Sequence, residues 1–239
     1  MTERRSLDPE EVAKFSAQAG EWWDQHGAFA PLHRLNPTRL KFIRDEALKL
    51  APGGGPKPLS GLRILDLGCG GGLVSVPLAR LGADVTGADA SEETIAAARA
   101  HAQKVGLAVD YRVALAEELA GETFDIVLAL EIVEHVADVS AFLEAAAALV
   151  RPGGKLIVST INRTRRAQLF AIVGAERFLK WVPEDTHHYD KLVTPEELAY
   201  AAPDLDWAEP VGMSFDPVAR DWKLSRDVSV NYFRVAAKR

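Results

Sequence analysis

Ile64-Leu65-Asp66-Leu67-Gly68-Cys69-Gly70-Gly71-Gly72 is an aliphatic run that breaks into four glycines. The run reads as a buried strand. The glycines read as a tight turn whose backbone takes angles closed to other residues and lies close to a bound molecule. Leu73 stands where the dinucleotide fingerprint G-x-G-x-x-G needs its third glycine, and no Gly-Lys-Ser/Thr follows to hold a triphosphate. The pattern is D-x-G-x-G-x-G. About twenty residues further on, Val85-Thr86-Gly87-Ala88-Asp89 reads as a second strand ending in a carboxylate suited to ribose hydroxyls.

Asp66, Gly68, Gly70, Gly72 and Asp89 thus outline a nucleoside pocket without a phosphate cradle, which is what S-adenosylmethionine requires. From Leu62 onward strands and helices alternate: strand 62–67, helix 72–81, strand 83–89, a helix opened by Ser91-Glu92-Glu93, and strands Val109–Val113 and Phe124–Leu130. A helix near Asp138–Leu149 and a strand Gly154–Thr160 follow. Alternation of this kind predicts an α/β fold, a mostly parallel sheet with helices on both faces and ligands beyond the carboxyl ends of the strands. Two late segments, 207–216 and 228–236, are predicted to close the sheet as a hairpin.

Upstream, Asp8-Pro9-Glu10-Glu11 has the form of a helix opener, carrying Val12, Phe15 and Ala19 at helical spacing towards Trp22-Trp23. Asn36-Pro37 opens a second helix. The connector between them is rich in aromatic, His and Arg residues, and reads equally as a packed helix hairpin or a substrate-covering lid. With 239 residues, 48% of them apolar, the chain is predicted to form one domain. Residues 1–51 form its helical extension, 60–162 the cofactor-binding core, 163–193 an insertion, and 194–239 the closing helix and hairpin.

A net charge of −6 argues against a surface for nucleic acid, and Cys69, the single cysteine, allows no internal disulfide, as suits a cytoplasmic protein. No leader or membrane span is predicted. Thr164–Val182 carries four cations and one acid, a local +3. On a helix its Arg165, Arg166, Arg177 and Lys180 share one arc, with Phe170, Phe178 and Trp181 elsewhere. Such a segment can lie on an anionic membrane, roof an apolar pocket, or simply pack on the core. His187-His188, in a polar loop, reads as solvated.

Glu131, Glu134 and His135 stand at i, i+3 and i+4 after the strand Phe124–Leu130. On a helical turn they share a face, where they could hold a divalent metal or supply acid and base groups, or form a Glu-His pair capping the next helix.

These features resemble the class I S-adenosylmethionine-dependent methyltransferases, and more closely the ubiquinone-pathway O-methyltransferases. The resemblance covers nearly the whole chain: Lys14-Phe15, Trp22-Trp23-Asp24, Pro31-Leu32-His33-Arg34-Leu35-Asn36-Pro37, the glycine turn, Glu131-Ile132-Val133-Glu134-His135, Arg151-Pro152-Gly153-Gly154, Ser159-Thr160-Ile161-Asn162-Arg163, Val173-Gly174-Ala175-Glu176 and Val228-Ser229-Val230-Asn231-Tyr232. It implies a Rossmann-like seven-stranded sheet with an N-terminal helical extension, and methylation of phenolic hydroxyls on polyprenylated ubiquinone precursors. It places cofactor contacts at Arg39, Gly68, Asp89 and Leu130, the last a departure from a common methionine. It also implies that Glu131, Glu134 and His135 bind a divalent cation, usually magnesium, although an imidazole ligand suits manganese or zinc as well. For catalysis His135 and Glu131 are the candidates: either His135 acts as general base, or a metal on Glu131 and Glu134 lowers the pKa of the phenol. A polyprenyl substrate implies peripheral attachment to the inner face of the membrane through 164–182, and other ubiquinone-pathway proteins as partners. Methylation of another small phenol or acid, and a cofactor-binding scaffold of the biosynthetic assembly, remain as alternatives.

Overall fold

The computed structural model describes residues 6–51, 53–169, 189–216, 219 and 221–239. Most of the segment 164–182, and His187-His188, lie outside the described residues.

Helix α1, Pro9–Ala17, starts where its opener places it: Asp8 accepts hydrogen bonds from the Glu10 and Glu11 amides, satisfying donors that a first turn leaves free. It ends before Trp22, giving way to a 3-10 turn at Ala19–Glu21. Helix α2, Ala30–Ala47, begins earlier than Asn36-Pro37. Pro31 occupies its first turn, the position proline favours, and Pro37 is carried inside.

The alternating region folds as β1 (Arg63–Leu67), α3 (Ser75–Arg80), β2 (Asp84–Asp89), α4 (Glu92–Lys104), β3 (Asp110–Val113), β4 (Phe124–Leu130), α5 (Val139–Ala148) and β5 (Val150–Ile161). Then come α6 (Arg165–Ala167), α7 (Pro195–Ala201), β6 (Asp206–Trp207), β7 (Val211–Asp216), β8 (Asp221–Ser225) and β9 (Asn231–Ala237). The strands make one sheet in the order β3-β2-β1-β4-β5-β9-β7-β8, with β6 also on β9.

Strands β1 to β5 run parallel; β9, β7, β8 and β6 are antiparallel additions. Among the described residues the sheet therefore has nine strands rather than seven. The extra two are β6, only two residues long, and β8, which pairs with β7. Strands β7 and β9 do pair antiparallel, yet β8 lies between them in sequence, so the closing unit is three-stranded rather than a simple hairpin.

The sheet is apolar on both faces because its central strands alternate two sets of aliphatic side chains. Leu65, Val127, Ala129, Leu156 and Val158 pack with Phe142 and Leu143 of α5 and Leu198 of α7. Ile64, Ile126, Leu128 and Ile157 point the other way, onto Phe42 and Ile43 of α2 and Leu78 of α3. Each of the Val, Leu, Ile and Phe side chains contributes roughly 1.5–3 kcal/mol on burial. The parallel strands end together at β1, β2 and β4, and there the polar side chains gather.

Candidate functional site

The turn after β1 takes left-handed backbone angles, with φ of +66° at Gly68, +52° at Gly70 and +84° at Gly72. A side chain is excluded twice over: a Cβ on Gly70 would strike the Trp22 ring and one on Gly68 would strike Ile132. The turn is pinned to β2, since the Gly68 and Cys69 amides both donate to the Ala88 carbonyl, at 2.8 and 3.1 Å. The Asp89 carboxylate accepts from the Gly70 amide at 3.0 Å and the Ser91 amide at 2.9 Å. Burial raises its pKa, and these amides oppose the rise.

Asp66 is buried and accepts from the Ser75 hydroxyl at 2.6 Å. Burial pushes its pKa up to about 6, against the pull of Ser75 and Arg39. Arg39, from α2, is only 4% exposed and lies 3.4 Å from Glu131. Its Nε and Nη2 atoms have no hydrogen-bond partner. A buried guanidinium with two unsatisfied nitrogens, lining a cavity with Asp66, fits an incoming carboxylate.

At the end of β4 the chain turns sharply. Glu131 has φ +51°, the single positive φ outside glycine among the described residues, a conformation that costs energy. It is held there by its amide, which donates to the Ser159 carbonyl at 2.8 Å, and by its carboxylate, which accepts from the Ser159 hydroxyl at 2.7 Å. A 3-10 turn, Val133–His135, follows rather than an α-helix.

Glu131, Glu134 and His135 consequently engage three different neighbours. Glu134 is buried and accepts from the Thr160 hydroxyl at 2.8 Å, leaving its Oε1 without a partner. Burial, reinforced by the nearby Glu131 charge, raises its pKa. His135 Nδ1 lies 2.9 Å from Glu11 Oε2 on α1. Burial alone would lower the imidazole pKa; the Glu11 hydrogen bond and the Glu134 and Glu11 charges outweigh it, and the pKa ends raised. Glu11 is held down at about 2, chiefly by the His135 hydrogen bond.

Glu131 and His135 line the cavity of the glycine turn, while Glu134 faces a separate hollow beside Leu192 and Tyr200. These commitments do not fit a three-ligand cation site. Among the described residues no group of three His, Cys, Asp or Glu side chains is placed to hold a metal.

The cavity has a volume of about 240 Å³. Asp66, Asp89, Leu130, Glu131 and His135 form its floor with the glycine turn; Glu11, Phe15, Trp22 and Phe29 of the N-terminal extension form its roof. Trp22 stacks on Phe29 with centroids 3.8 Å apart, and Trp23 Nε1 donates to the Gly71 carbonyl at 2.9 Å. The connector between α1 and α2 thus lies on the glycine turn itself.

Every residue expected to bind the cofactor (Arg39, Asp66, Gly68, Gly70, Asp89 and Leu130) lines this one cavity, except Gly72, which sits behind it against Tyr111. Glu11, Ser159 and Thr160 join the site through contacts that no local pattern in the sequence signals. Asp8-Pro9-Glu10-Glu11 signals a helix start, and nothing in its spacing points to His135, 124 residues away.

Residues 65–158 match the family model described as a methyltransferase domain. The whole chain is 53% identical over 247 residues to a ubiquinone biosynthesis O-methyltransferase from Rhizobium etli, covering 99% of that protein. It is 51% identical over 241 residues to one from Azorhizobium caulinodans, covering 98% of this chain and 95% of the relative. Among solved structures, magnesium protoporphyrin IX methyltransferase from Synechocystis with bound SAH superposes with a TM-score of 0.64 at 20% identity, covering 96% of this chain and 94% of that one. A possible histamine N-methyltransferase from Thermotoga maritima gives 0.63 at 20% identity, with coverage of 96% and 100%. At that identity the likeness is one of fold.

Proposed function

The chain belongs to the ubiquinone biosynthesis O-methyltransferases, and from that we propose that it transfers the methyl group of S-adenosylmethionine to a phenolic hydroxyl of a polyprenylated ubiquinone precursor. The observation that carries the reading is the single cavity in which the glycine turn and Asp89 meet Glu131 and His135 under an aromatic roof. Bound there, S-adenosylmethionine supplies an electrophilic methyl group on its sulfonium.

This chain's residues supply the rest. Asp89 accepts from ribose hydroxyls, Leu130 lies against the adenosine, and the unsatisfied Arg39 nitrogens take the amino-acid carboxylate. Asp66 and Glu131 provide negative charge beside a cationic donor. Trp22 and Phe29 exclude water, so that the acceptor oxygen is held in line behind the methyl group.

A phenol with a pKa near ~10 must lose its proton as its oxygen attacks. His135 is the base: a carboxylate can only accept, so Nδ1 keeps its proton for Glu11 and Nε2 takes the substrate's. No step is assigned to a divalent cation: Glu134 accepts from Thr160 and lines a different hollow from the one that Glu131 and His135 line.

The polyprenyl substrate also motivates a peripheral membrane role for 164–182 on the cytoplasmic side, where other enzymes of the same pathway would hand on the substrate. No helix among the described residues is long and apolar enough to cross a membrane. Trp181→Glu should weaken binding to anionic vesicles and raise KM for a long-tailed substrate without changing affinity for S-adenosylmethionine; an unchanged variant contradicts this.

The test of the main reading is turnover by the isolated chain. S-adenosylmethionine and a prenylated catechol should give one methyl ether per S-adenosylhomocysteine. Equal rates on a catechol without a tail would favour a small-phenol methyltransferase. Cofactor binding without any transfer would overturn the enzyme reading.

A further inference from the structure

We infer that Glu11, on the N-terminal helix, is a positioning residue for His135, so that the extension completes the catalytic site as well as covering it. The inference rests on His135 being the base. Glu11 and Phe15, one turn apart on α1, grip the imidazole from the same side. Glu11 Oε2 holds Nδ1 at 2.9 Å, and the Phe15 ring meets the imidazole edge-on, with centroids 5.2 Å apart and planes at 84°. Together they fix which nitrogen carries the proton and the plane of the ring.

Glu11 is itself held. Its other oxygen lies 3.6 Å from Lys191 Nζ, and Lys191 also reaches Asp8, the residue that caps α1, at 3.1 Å. The same cation thus reaches the second oxygen of the carboxylate and the cap of the helix that carries it.

A role in stability alone does not account for the arrangement. Both side chains are only 12% exposed, and withdrawing a carboxylate and an imidazole from water costs much of what their attraction returns. Helix α1 has no fully buried residue of its own, so the pair is not the by-product of a packed core. It sits at the wall of the reaction cavity, and that is where fixing the tautomer of a base has an effect.

The experiment compares wild type, Glu11→Gln, Glu11→Asp and Glu10→Gln. Glu10 is exposed and neighbours Glu11 on α1, so its variant removes the same charge without touching His135. Glu11→Gln should lower kcat by about 10²-fold, on the scale of a lost general base. KM for S-adenosylmethionine should stay within about twofold, well below the tenfold that a lost binding contact of about 1.4 kcal/mol would give. Glu11→Asp should recover part of kcat, and Glu10→Gln should match wild type. In ¹⁵N spectra the His135 ring should show one tautomer in wild type and a mixture in Glu11→Gln.

The inference is overturned if Glu11→Gln keeps kcat, if it loses donor affinity in step with kcat, or if the ring signals do not change. The spectra read the hold of Glu11 on the ring whether or not His135 is the base. Full activity of His135→Asn would therefore sink the base reading and leave the contact to be judged on the spectra.

Discussion

At the end of β1 the polar contacts are made within short stretches of chain: Asp66 to Ser75 over nine residues, and Gly70 to Asp89 over nineteen. At the end of β4 the corresponding contacts run from Glu134 to Thr160 over 26 residues, from Glu131 to Ser159 over 28, and from His135 to Glu11 over 124. In the proposed function the first set, a strand-turn-helix, recognises the donor. The second is assembled from β4, β5 and the N-terminal helix, and in the same proposal it handles the acceptor and its proton. A turn fixed by glycine geometry serves for binding; a base has to be aimed by groups from elsewhere in the chain.

Changes at the two strand ends should therefore separate. The largest effect is expected at β4: His135→Asn should cut kcat by about 10²-fold or more while leaving the donor Kd unchanged, as calorimetry and steady-state rates on one preparation would show. Parallel losses in both would mean that the two ends are not independent.

At β1 the loss should appear in binding. Gly70→Ala places a side chain at φ +52° against Trp22, so the donor Kd should rise by about tenfold, a binding loss near 1.4 kcal/mol. The left-handed alanine costs about 1–2 kcal/mol, which at this chain length lowers Tm by roughly 2–8 °C. A Tm loss with an intact Kd would remove the turn from donor recognition.

Donor binding should also follow pH in a way that proton transfer does not explain. Asp66 has its pKa raised to about 6 by burial, so below that value it is neutral and offers no charge to a sulfonium. Affinity should tighten by roughly tenfold between pH 5 and 7, the change in its ionised fraction, and Asp66→Asn should flatten the curve. A flat wild-type curve would show that Asp66 does not face the charge.

The smallest effect is expected from Glu134→Gln. Burial and the Glu131 charge favour its protonated form, which an amide imitates, so activity should stay within about twofold. Collapse of activity together with chelator sensitivity would restore the cation reading.

The same contrast explains what could be read in the sequence. Asp66, the glycine turn and Asp89 announce themselves because strand, turn and carboxylate follow one another in a fixed spacing. The alternating strands from Leu62 to Ile161 were legible for the same reason, with boundaries off by one to a few residues.

At β4 the i, i+3, i+4 spacing suggested one helical face, yet Glu131 adopts a left-handed angle because Ser159 binds both its amide and its carboxylate. Beyond that turn Glu131 and His135 line the glycine-turn cavity, and Glu134 lines another hollow. Serine on a neighbouring strand leaves no trace in the local pattern. The start of α2 was misplaced because two prolines, Pro31 and Pro37, each suit a first turn. Strand β8, Asp221–Ser225, falls between the two segments that the sequence predicts as a hairpin.

The most direct measurement is a structure with S-adenosylhomocysteine and a methylated or unmethylated catechol bound together. The account predicts the ribose on Asp89, the sulfur facing the gap between the glycine turn and β4, and the acceptor oxygen within about 3 Å of His135 Nε2. An acceptor oxygen out of reach of His135, or one bound to a cation held by Glu131 and Glu134, would contradict it.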